Sequence, residues 1–289
     1  MAVAEYLVGL VGRGIGPSLS PSLHEREATA LGLRYRYRLL DLDVLGVPAR
    51  GVGGLLVRAL AEGYRGLNIT HPCKQLVVEH LDSLSADAEA VGAVNTVVFD
   101  GGRAVGHNTD VTGFARAVRT GLAGAAQRRV VLLGAGGAGA AAGYALLAAG
   151  TSDLEVVDVD HGRAGALAGR LRRRFGERAA RAVEAGAELG ERLNGADGLV
   201  HATPTGMAGT PGTALRPELL RPPLWVADLV YRPLRTELLR AARARGCRTL
   251  DGGRMAVHQA ADAFELFTGT PPDRCRMLRH FAEEASRAR

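Results

Sequence analysis

The run Val130-Val131-Leu132-Leu133, followed directly by Gly134-Ala135-Gly136-Gly137-Ala138-Gly139, constrains this chain more than any other stretch. A short continuous apolar segment suits a strand buried on both faces, as in a parallel sheet. Gly134, Gly136 and Gly139 then fall at the spacing G-x-G-x-x-G and open an alanine-rich helix running to Ala149. Such a turn lets the backbone approach a pyrophosphate, and the helix N-terminus supplies N–H groups and positive partial charge. The spacing alone is served equally well by a tight strand–helix turn. Context favours the dinucleotide: the next strand, Leu154–Val157, ends at Asp158, where a carboxylate can accept from a ribose diol and repel a 2′-phosphate. Asp158 and Asp160 can also be read as caps of a helix beginning near Arg163. Arg163 could itself pair with a phosphate. Two acids against one arginine favour NAD, with NADP less favoured.

Around this turn the chain reads as an α/β protein of two domains. In the second part, strands and helices alternate as in a doubly wound, Rossmann-type sheet. The turn is followed by helix Arg163–Phe175, an amphipathic stretch around Glu184–Leu193, strands Gly198–His201 and Leu224–Leu229, and helix Thr236–Arg245. The first part reads as strand Tyr6–Val11, helix Ser22–Leu31, strand Arg34–Asp41, helix Pro48–Glu62, strand Gly66–Ile69 and a helix from Lys74 to about His80. A hairpin of Ala93–Phe99 and Arg103–Asn108 follows, and Asp110 caps a helix to about Thr120. The amphipathic helix Ala256–Phe267 is assigned back to the first domain, because the nucleotide sheet is already complete. The expected division is 1–112 with 252–289 as a substrate domain and 113–251 as a nucleotide domain, with a cleft between them.

Composition removes other classes. Hydrophobic residues make up 47% and charged residues 23%, ordinary for a globular chain. Neither an uninterrupted membrane-length apolar run nor a signal-peptide pattern is visible. The three cysteines, Cys73, Cys247 and Cys275, are too few and too dispersed for a disulfide framework or a metal site. They suit reduced thiols and a cytoplasmic setting. The net charge of +6 is spread over helices with acids nearby, so no nucleic-acid role is expected.

The chain holds a single lysine, Lys74; every other cation apart from histidine is arginine. A coding bias toward arginine explains the general pattern but not the exception. Arginine keeps its proton, whereas a desolvated lysine can release one. Lys74 is therefore a candidate acid/base residue on composition alone.

Taken together, several segments resemble the shikimate dehydrogenases, and especially the NAD-using quinate/shikimate branch. The resemblance runs through Ser-Leu-Ser-Pro-Ser-Leu-His at Ser18–His24, Asn-Ile-Thr-His-Pro-Cys-Lys at Asn68–Lys74, Gly-Ala-Val-Asn-Thr at Gly92–Thr96 and Gly-His-Asn-Thr-Asp-Val-Thr-Gly-Phe at Gly106–Phe114. It continues through Gly134–Ala138, Ala-Thr-Pro-Thr-Gly-Met at Ala202–Met207, Asp-Leu-Val-Tyr at Asp228–Tyr231 and Met-Ala-Val-His-Gln-Ala at Met255–Ala260.

The resemblance implies oxidation or reduction of a ring hydroxyl of shikimate or quinate, with Lys74 and Asp110 as catalytic pair. Removing a hydride from an alcohol requires a base for the hydroxyl proton. It further implies Ser18, Ser20 and Tyr231 toward the substrate carboxylate, and Thr70, Asn95 and Gln259 toward ring hydroxyls. Cofactor contacts fall to Gly134, Gly136, Gly137, Ala138, Asp158, Arg163, Thr203, Met207, Val230 and Gly252. Ser18 and Ser20 could instead serve turn and helix capping, and Asn95 could satisfy local backbone. His24 reads as structural. Many family members carry Asn-Arg-Thr where this chain has Asp158-Val159-Asp160, which again favours NAD. A dehydrogenase of a related ring polyol such as an aminated shikimate, or a silent cofactor-binding regulator, are the alternatives. A homodimer is possible; no metal is expected.

Overall fold

In a computed structural model, residues 5–186 and 189–287 are described. They form two compact units, one of residues up to Thr109 together with those from Val257 onward, the other Asp110–Ala256. Asp110–Thr112 and Gly252–Ala256 thus fall with the second unit. Both boundaries lie on helices that run on across the division, so neither coincides with a loop.

The first unit begins with β1 (Glu5–Gly12), α1 (Ser20–Ala30), β2 (Arg34–Asp41), α2 (Leu42–Leu45), α3 (Val52–Ala61), β3 (Gly66–Ile69) and α4 (Cys73–Leu76). It continues with β4 (Ser83–Leu84), α5 (Ala86–Val91), β5 (Thr96–Asp100) and β6 (Arg103–His107). The strands form a six-stranded mixed sheet in the order β2-β1-β3-β5-β6-β4. β1 is parallel to both β2 and β3, whereas β5 runs antiparallel to β3 and β6. One face is covered by α3, α4 and α5, whose Leu55, Leu56, Cys73 and Ala88 pack with Leu67, Ile69 and Val97.

The second unit opens with α6 (Thr109–Gly121), then β7 (Arg129–Leu133), α7 (Gly137–Ala148), β8 (Asp153–Asp158), α8 (His161–Phe175) and β9 (Ala180–Glu184). There follow α9 (Leu189–Asn194), β10 (Gly198–His201), β11 (Trp225–Asp228), α10 (Glu237–Ala244) and β12 (Thr249–Leu250). Its six strands are all parallel, in the order β12-β11-β10-β7-β8-β9. That is the doubly wound order in which chain direction reverses beside the first strand, here β7. Val131, Leu199 and Val226 are fully buried, as strands covered on both faces require.

The last helices are α11 (Gly252–Thr268) and α12 (Arg274–Arg287). The C-terminal half of α11 completes the first unit: Ala263 and Phe267 share a core with Val8, Leu10, Ile15, Tyr37 and Val98. Helix α12 was not expected. It is tied to α1 by Arg276, whose Nη2 donates to Glu27 Oε1 at 2.6 Å, Glu27 being fully buried.

Several expectations are corrected. The stretch 184–193 is not one amphipathic element: β9 ends at Glu184 and α9 starts at Leu189, while residues 187 and 188 lie outside the described residues. The helix expected from Lys74 to His80 is a single α-turn followed by a 3-10 turn over Val78–His80. Asp110 does not cap α6; it sits inside the first turn of a helix that begins one residue earlier. Among the described residues no helix is long and apolar enough to cross a membrane, and the three thiols are unbridged.

Candidate active site

In the first unit the family-matched residues gather at the ends of β1 and β3 and around Asn95. Lys74, half-buried on α4, accepts at its carbonyl from the Val94 N–H at 2.8 Å, fixing it one residue from Asn95. The Asn95 carboxamide is 3% exposed and is a hub. Its Oδ1 accepts from Thr109 N at 2.7 Å, and its Nδ2 donates to Thr109 Oγ1 at 2.8 Å and to Gln259 Oε1 at 3.4 Å. Asn95 therefore satisfies a backbone N–H and meets Gln259 of α11 as well.

Thr70 closes β3 against β1: its N–H donates to Val11 O at 2.9 Å. A Cβ at Gly12 would lie 2.3 Å from Thr70 Cγ2, so glycine is needed there for the threonine to sit where it does. Ser18 and Ser20 are neighbours through an Oγ–Oγ hydrogen bond of 3.2 Å, and Ser20 N–H also donates to Ser18 Oγ. Neither caps α1, whose N-cap is Leu19. The loop before them is held by Asp41, which accepts from Ile15 N at 2.7 Å and Gly14 N at 3.1 Å. Burial works against this charge, but the N–H groups of Asp43, Ile15 and Gly14 hold the carboxyl below its usual range.

Three buried residues of this cluster were not singled out in sequence. Tyr37 Oη donates to Asn68 Oδ1 at 2.8 Å, and Asn68 Nδ2 donates to Thr96 Oγ1 at 3.1 Å, which in turn donates to Asn95 Oδ1 at 3.1 Å. The signal for Asn68 was present, since it opens the same block that ends in Lys74. Tyr37 carried none, because its partner lies 31 positions away. His24 is structural as expected: wholly buried among Tyr35, Tyr37, Phe264 and Phe267, it is pushed by desolvation down to about 3.

In the second unit the glycine-rich turn has the geometry its composition promises. Gly134 has φ +105°, a conformation that side chains rarely adopt, and a Cβ on it would lie 2.7 Å from Ala202 O. A Cβ at Gly139 would fall 2.0 Å from Gly134 O, so only glycine lets α7 leave β7 this closely. Gly136 precedes α7 as its N-cap, with Gly137 and Ala138 in the first turn. The Arg163 guanidinium stands 3.5 Å from where a Gly136 Cβ would be. These residues leave the N-terminus of α7 with nothing larger than a methyl group and with a cation beside it, which fits an anionic pyrophosphate.

Asp158 ends β8 and accepts from Ala135 N at 2.7 Å and Asp160 N at 3.0 Å. Asp160 is the cap of α8, accepting from Arg163 N at 3.2 Å. The capping alternative thus belongs to Asp160 and not to Asp158.

Thr203 and Met207 lie on the loop after β10, with Met207 45% exposed. Val230 follows β11 and is buried, and Gly252 begins α11 so close to it that a Cβ would lie 2.4 Å from Leu229 O. Asp110 is 5% exposed at the start of α6. The Tyr231 hydroxyl is raised above its ordinary range by burial, with Arg232 opposing and the Asp110 charge adding to the rise. Arg254, one turn into α11, is exposed. Among the described residues no cluster of His, Cys, Asp or Glu could hold a metal ion.

Comparison with known proteins identifies the family. Residues 10–97 match the shikimate dehydrogenase substrate binding domain, and residues 253–279 match the shikimate 5′-dehydrogenase C-terminal domain. The chain is 62% identical, over 100% of its length and 99% of the relative's, to the shikimate dehydrogenase (NADP(+)) of Streptomyces avermitilis. It is 49% identical, over 95% of its length and 97% of the relative's, to the quinate/shikimate dehydrogenase (NAD(+)) of Corynebacterium efficiens. Among solved structures, the quinate dehydrogenase from Corynebacterium glutamicum in complex with NAD superposes with a TM-score of 0.90 at 48% identity, covering 96% of this chain and 99% of that one. With this sequence, these folds and these relatives, the chain is an oxidoreductase that belongs to the shikimate dehydrogenase family.

Proposed function

We propose that this enzyme interconverts a ring hydroxyl of shikimate or quinate with the corresponding ketone, using NAD in preference to NADP. The observation that carries the reading is the Asn95 hub, which joins Gln259 directly and Lys74 through the neighbouring Val94 N–H. Neutral amides and hydroxyls with both donors and acceptors suit a polyol. A ring hydroxyl reaching Asn95 would replace the 3.4 Å Gln259 contact, the longest of the set, and leave the Thr109 bonds in place.

In this reading Lys74 takes the hydroxyl proton at Nζ during oxidation and returns it during reduction, while Asp110 orients the group being oxidised. Ser18, Ser20 and Tyr231 offer hydroxyl donors to the carboxylate, and Thr70 contacts a ring hydroxyl. When bound, the nicotinamide supplies the hydride acceptor. The dinucleotide would be held by the bare α7 N-terminus at Gly134, Gly136, Gly137 and Ala138, by Arg163, and by Thr203, Met207, Val230 and Gly252. Asp158 favours NAD, since its carboxylate has acceptor capacity beyond the Ala135 and Asp160 N–H groups and would repel a 2′-phosphate. Relatives named for each cofactor are both close, so the preference rests on Asp158 itself. The test is the absorbance of reduced nicotinamide formed from shikimate and from quinate, each with NAD and NADP. Failure to turn over either acid would refute the substrate; higher efficiency with NADP would refute the cofactor.

A further inference from the structure

We infer that His201 is a positioning residue for the cofactor loops, fixing the Thr203 hydroxyl through the hydrogen-bond chain Asp228–His201–Thr203 so that Thr203 offers its ligand an acceptor and not a hydrogen. The inference rests on the reading of Thr203, Met207 and Val230 as cofactor contacts.

His201 and Asp228 are each 1% exposed and stand opposite one another in register at the C-terminal ends of β10 and β11. That is the edge at which open parallel sheets bind ligands. His201 Nδ1 lies 2.9 Å from Asp228 Oδ1, and Nε2 is hydrogen-bonded to Thr203 Oγ1. Asp228 also accepts from Val230 N at 3.0 Å and from Thr236 Oγ1 at 2.6 Å, and Thr236 caps α10. One carboxylate thus ties together the histidine, the segment after β11 and the start of a helix.

The donors can be assigned in sequence. A carboxylate only accepts, so His201 Nδ1 carries the hydrogen and Nε2, in the neutral ring, accepts. Thr203 must then donate its hydroxyl hydrogen to Nε2. Its oxygen accepts from Thr205 N at 3.3 Å, leaving one lone pair. What Thr203 can recognise is therefore a donor: the carboxamide N–H of a nicotinamide or a ribose hydroxyl.

The same bond seats the loop. From Pro204 to Thr210 the loop is bonded to itself, Met207 N to Pro204 O at 3.1 Å, Thr210 N to Met207 O at 2.9 Å and Thr210 Oγ1 to Pro204 O at 2.8 Å. Such a unit moves as one body unless its base is held. The base is held by Ala202 N donating to Leu133 O at 2.7 Å and by the His201–Thr203 bond.

The experiment titrates the fluorescence of reduced dinucleotide with the full chain and its variants Thr203→Val, Thr203→Ser, His201→Asn and the double Thr203→Val/His201→Asn. Loss of one directed hydrogen bond is expected to raise the dissociation constant roughly tenfold in Thr203→Val and in His201→Asn. The double variant should be no weaker than the weaker single, because both remove the same directed hydroxyl; Thr203→Ser, which keeps the hydroxyl, should recover most of the affinity that Thr203→Val loses. Multiplication of the two effects toward a hundredfold, or wild-type affinity in Thr203→Val, overturns the inference. Repeating the series with the acetylpyridine analogue, which lacks the carboxamide N–H, separates the two donors: an unchanged Thr203→Val effect assigns the ribose, a vanished one the carboxamide. If His201→Asn does not fold, nitrogen NMR of the wild type decides without any ligand. A hydrogen on Nδ1 alone supports the chain, and a hydrogen on Nε2 overturns it. A wild type that binds reduced dinucleotide but oxidises neither shikimate nor quinate refutes the proposed substrate and leaves this inference standing.

Discussion

Replacing Asp158 by Asn removes one charge and changes two things at once, and the structure separates them. The carboxylate accepts from Ala135 N at 2.7 Å and from Asp160 N at 3.0 Å, one oxygen to each. An amide has a single oxygen, so one of these N–H groups would face an NH₂. A lost hydrogen bond of this kind weakens the structure by about 1 kcal/mol, more where the remaining donor is buried. Since Ala135 lies inside the glycine-rich turn, both dinucleotides should bind more weakly to Asp158→Asn. The second effect is selective. Two like charges 4 Å apart at an effective dielectric near 20 repel by about 4 kcal/mol, and solvent relaxation removes part of this. Relief of half, about 2 kcal/mol, would shift the NADP-to-NAD efficiency ratio roughly thirtyfold toward NADP. Arg163, close to Gly136, offsets some of the repulsion in the wild type, so the shift should be smaller when Arg163 is intact than in an Arg163→Ala background.

The assay is kcat/KM with each cofactor at a fixed saturating concentration of shikimate or quinate, beside the thermal midpoint of each variant. The variant should show a fall with NAD, a smaller fall or a rise with NADP, and a modest loss of midpoint. An unchanged ratio, with both efficiencies reduced in parallel, would mean that Asp158 acts only as a clamp on the turn and that cofactor choice lies elsewhere.

Other perturbations have equally definite outcomes. Lys74→Ala should lower kcat by about 10²–10⁴-fold with little change in cofactor affinity, and Lys74→Arg should not restore it; an active arginine variant would reduce Lys74 to a positive charge. Gly139→Ala drives a Cβ to 2.0 Å from Gly134 O, a backbone clash expected to destabilise the second unit by about 3 kcal/mol and to abolish dinucleotide binding, read by calorimetry and fluorescence titration. Arg276→Ala takes the guanidinium from the fully buried Glu27 and leaves it accepting from the Asp273 N–H at 2.7 Å, and should reduce unfolding free energy by about 3 kcal/mol in urea. His24 is held neutral down to about 3 by burial, while in the unfolded chain it titrates near 6.5. The unfolded state then binds the extra proton between these values, so stability falls as pH drops below about 6.5. The loss from this group between pH 7 and pH 5 is about 2 kcal/mol, and His24→Phe should remove that part of the slope in urea unfolding.

The parts of the fold legible in sequence are those whose signal is local. The run Val130–Leu133, the glycines after it and the acid ending the next strand identify β7, α7 and β8 because each depends on neighbours within a few residues. β9 was missed for the opposite reason. Its Arg181 stands opposite Glu155 of β8 and bonds it, while Arg129 reaches the same carboxyl at 3.2 Å. Glu155 has no exposure at all; burial would raise its carboxyl, but Arg181 and Arg129 hold it below the usual range. A buried acid in one strand predicts a basic partner somewhere, not where. Helix α12 is similarly invisible, since only Met277 and Phe281 are buried on it and it is secured by ion pairs to Arg26 and Glu27 at the far end of the chain. At the candidate site, Asn95 and Gln259 were legible through the motifs that contain them, whereas Tyr37 and His201 act through partners that only the folded chain brings close.

A recurring device explains why some acids were hard to assign from sequence. Asp41 ends β2, Asp158 ends β8 and Asp228 ends β11, each the last residue of a parallel strand. Each accepts from the N–H two residues ahead: Asp43 at 3.1 Å, Asp160 at 3.0 Å and Val230 at 3.0 Å. Each also accepts from the end of the adjacent strand or the loop just after it: Ile15 beyond β1, Ala135 beyond β7 and His201 at the end of β10. The physical need is the same in all three places. Where a parallel strand ends, nearby N–H groups lose their ladder partners, and a carboxyl at the strand terminus accepts from the N–H two residues ahead and from a second group across the sheet, a backbone N–H for Asp41 and Asp158 and the imidazole of His201 for Asp228, pinning adjacent segments together. An acid at this position is thus favoured by the sheet before any ligand is considered. Ligand chemistry can only be added to it, through the acceptor capacity that remains. Asp228 is buried and already accepts from His201, Val230 and Thr236, so it orients other groups. For Asp158, half-exposed at the edge of the glycine-rich turn, each oxygen retains room for a further donor, as the proposed contact with a ribose requires.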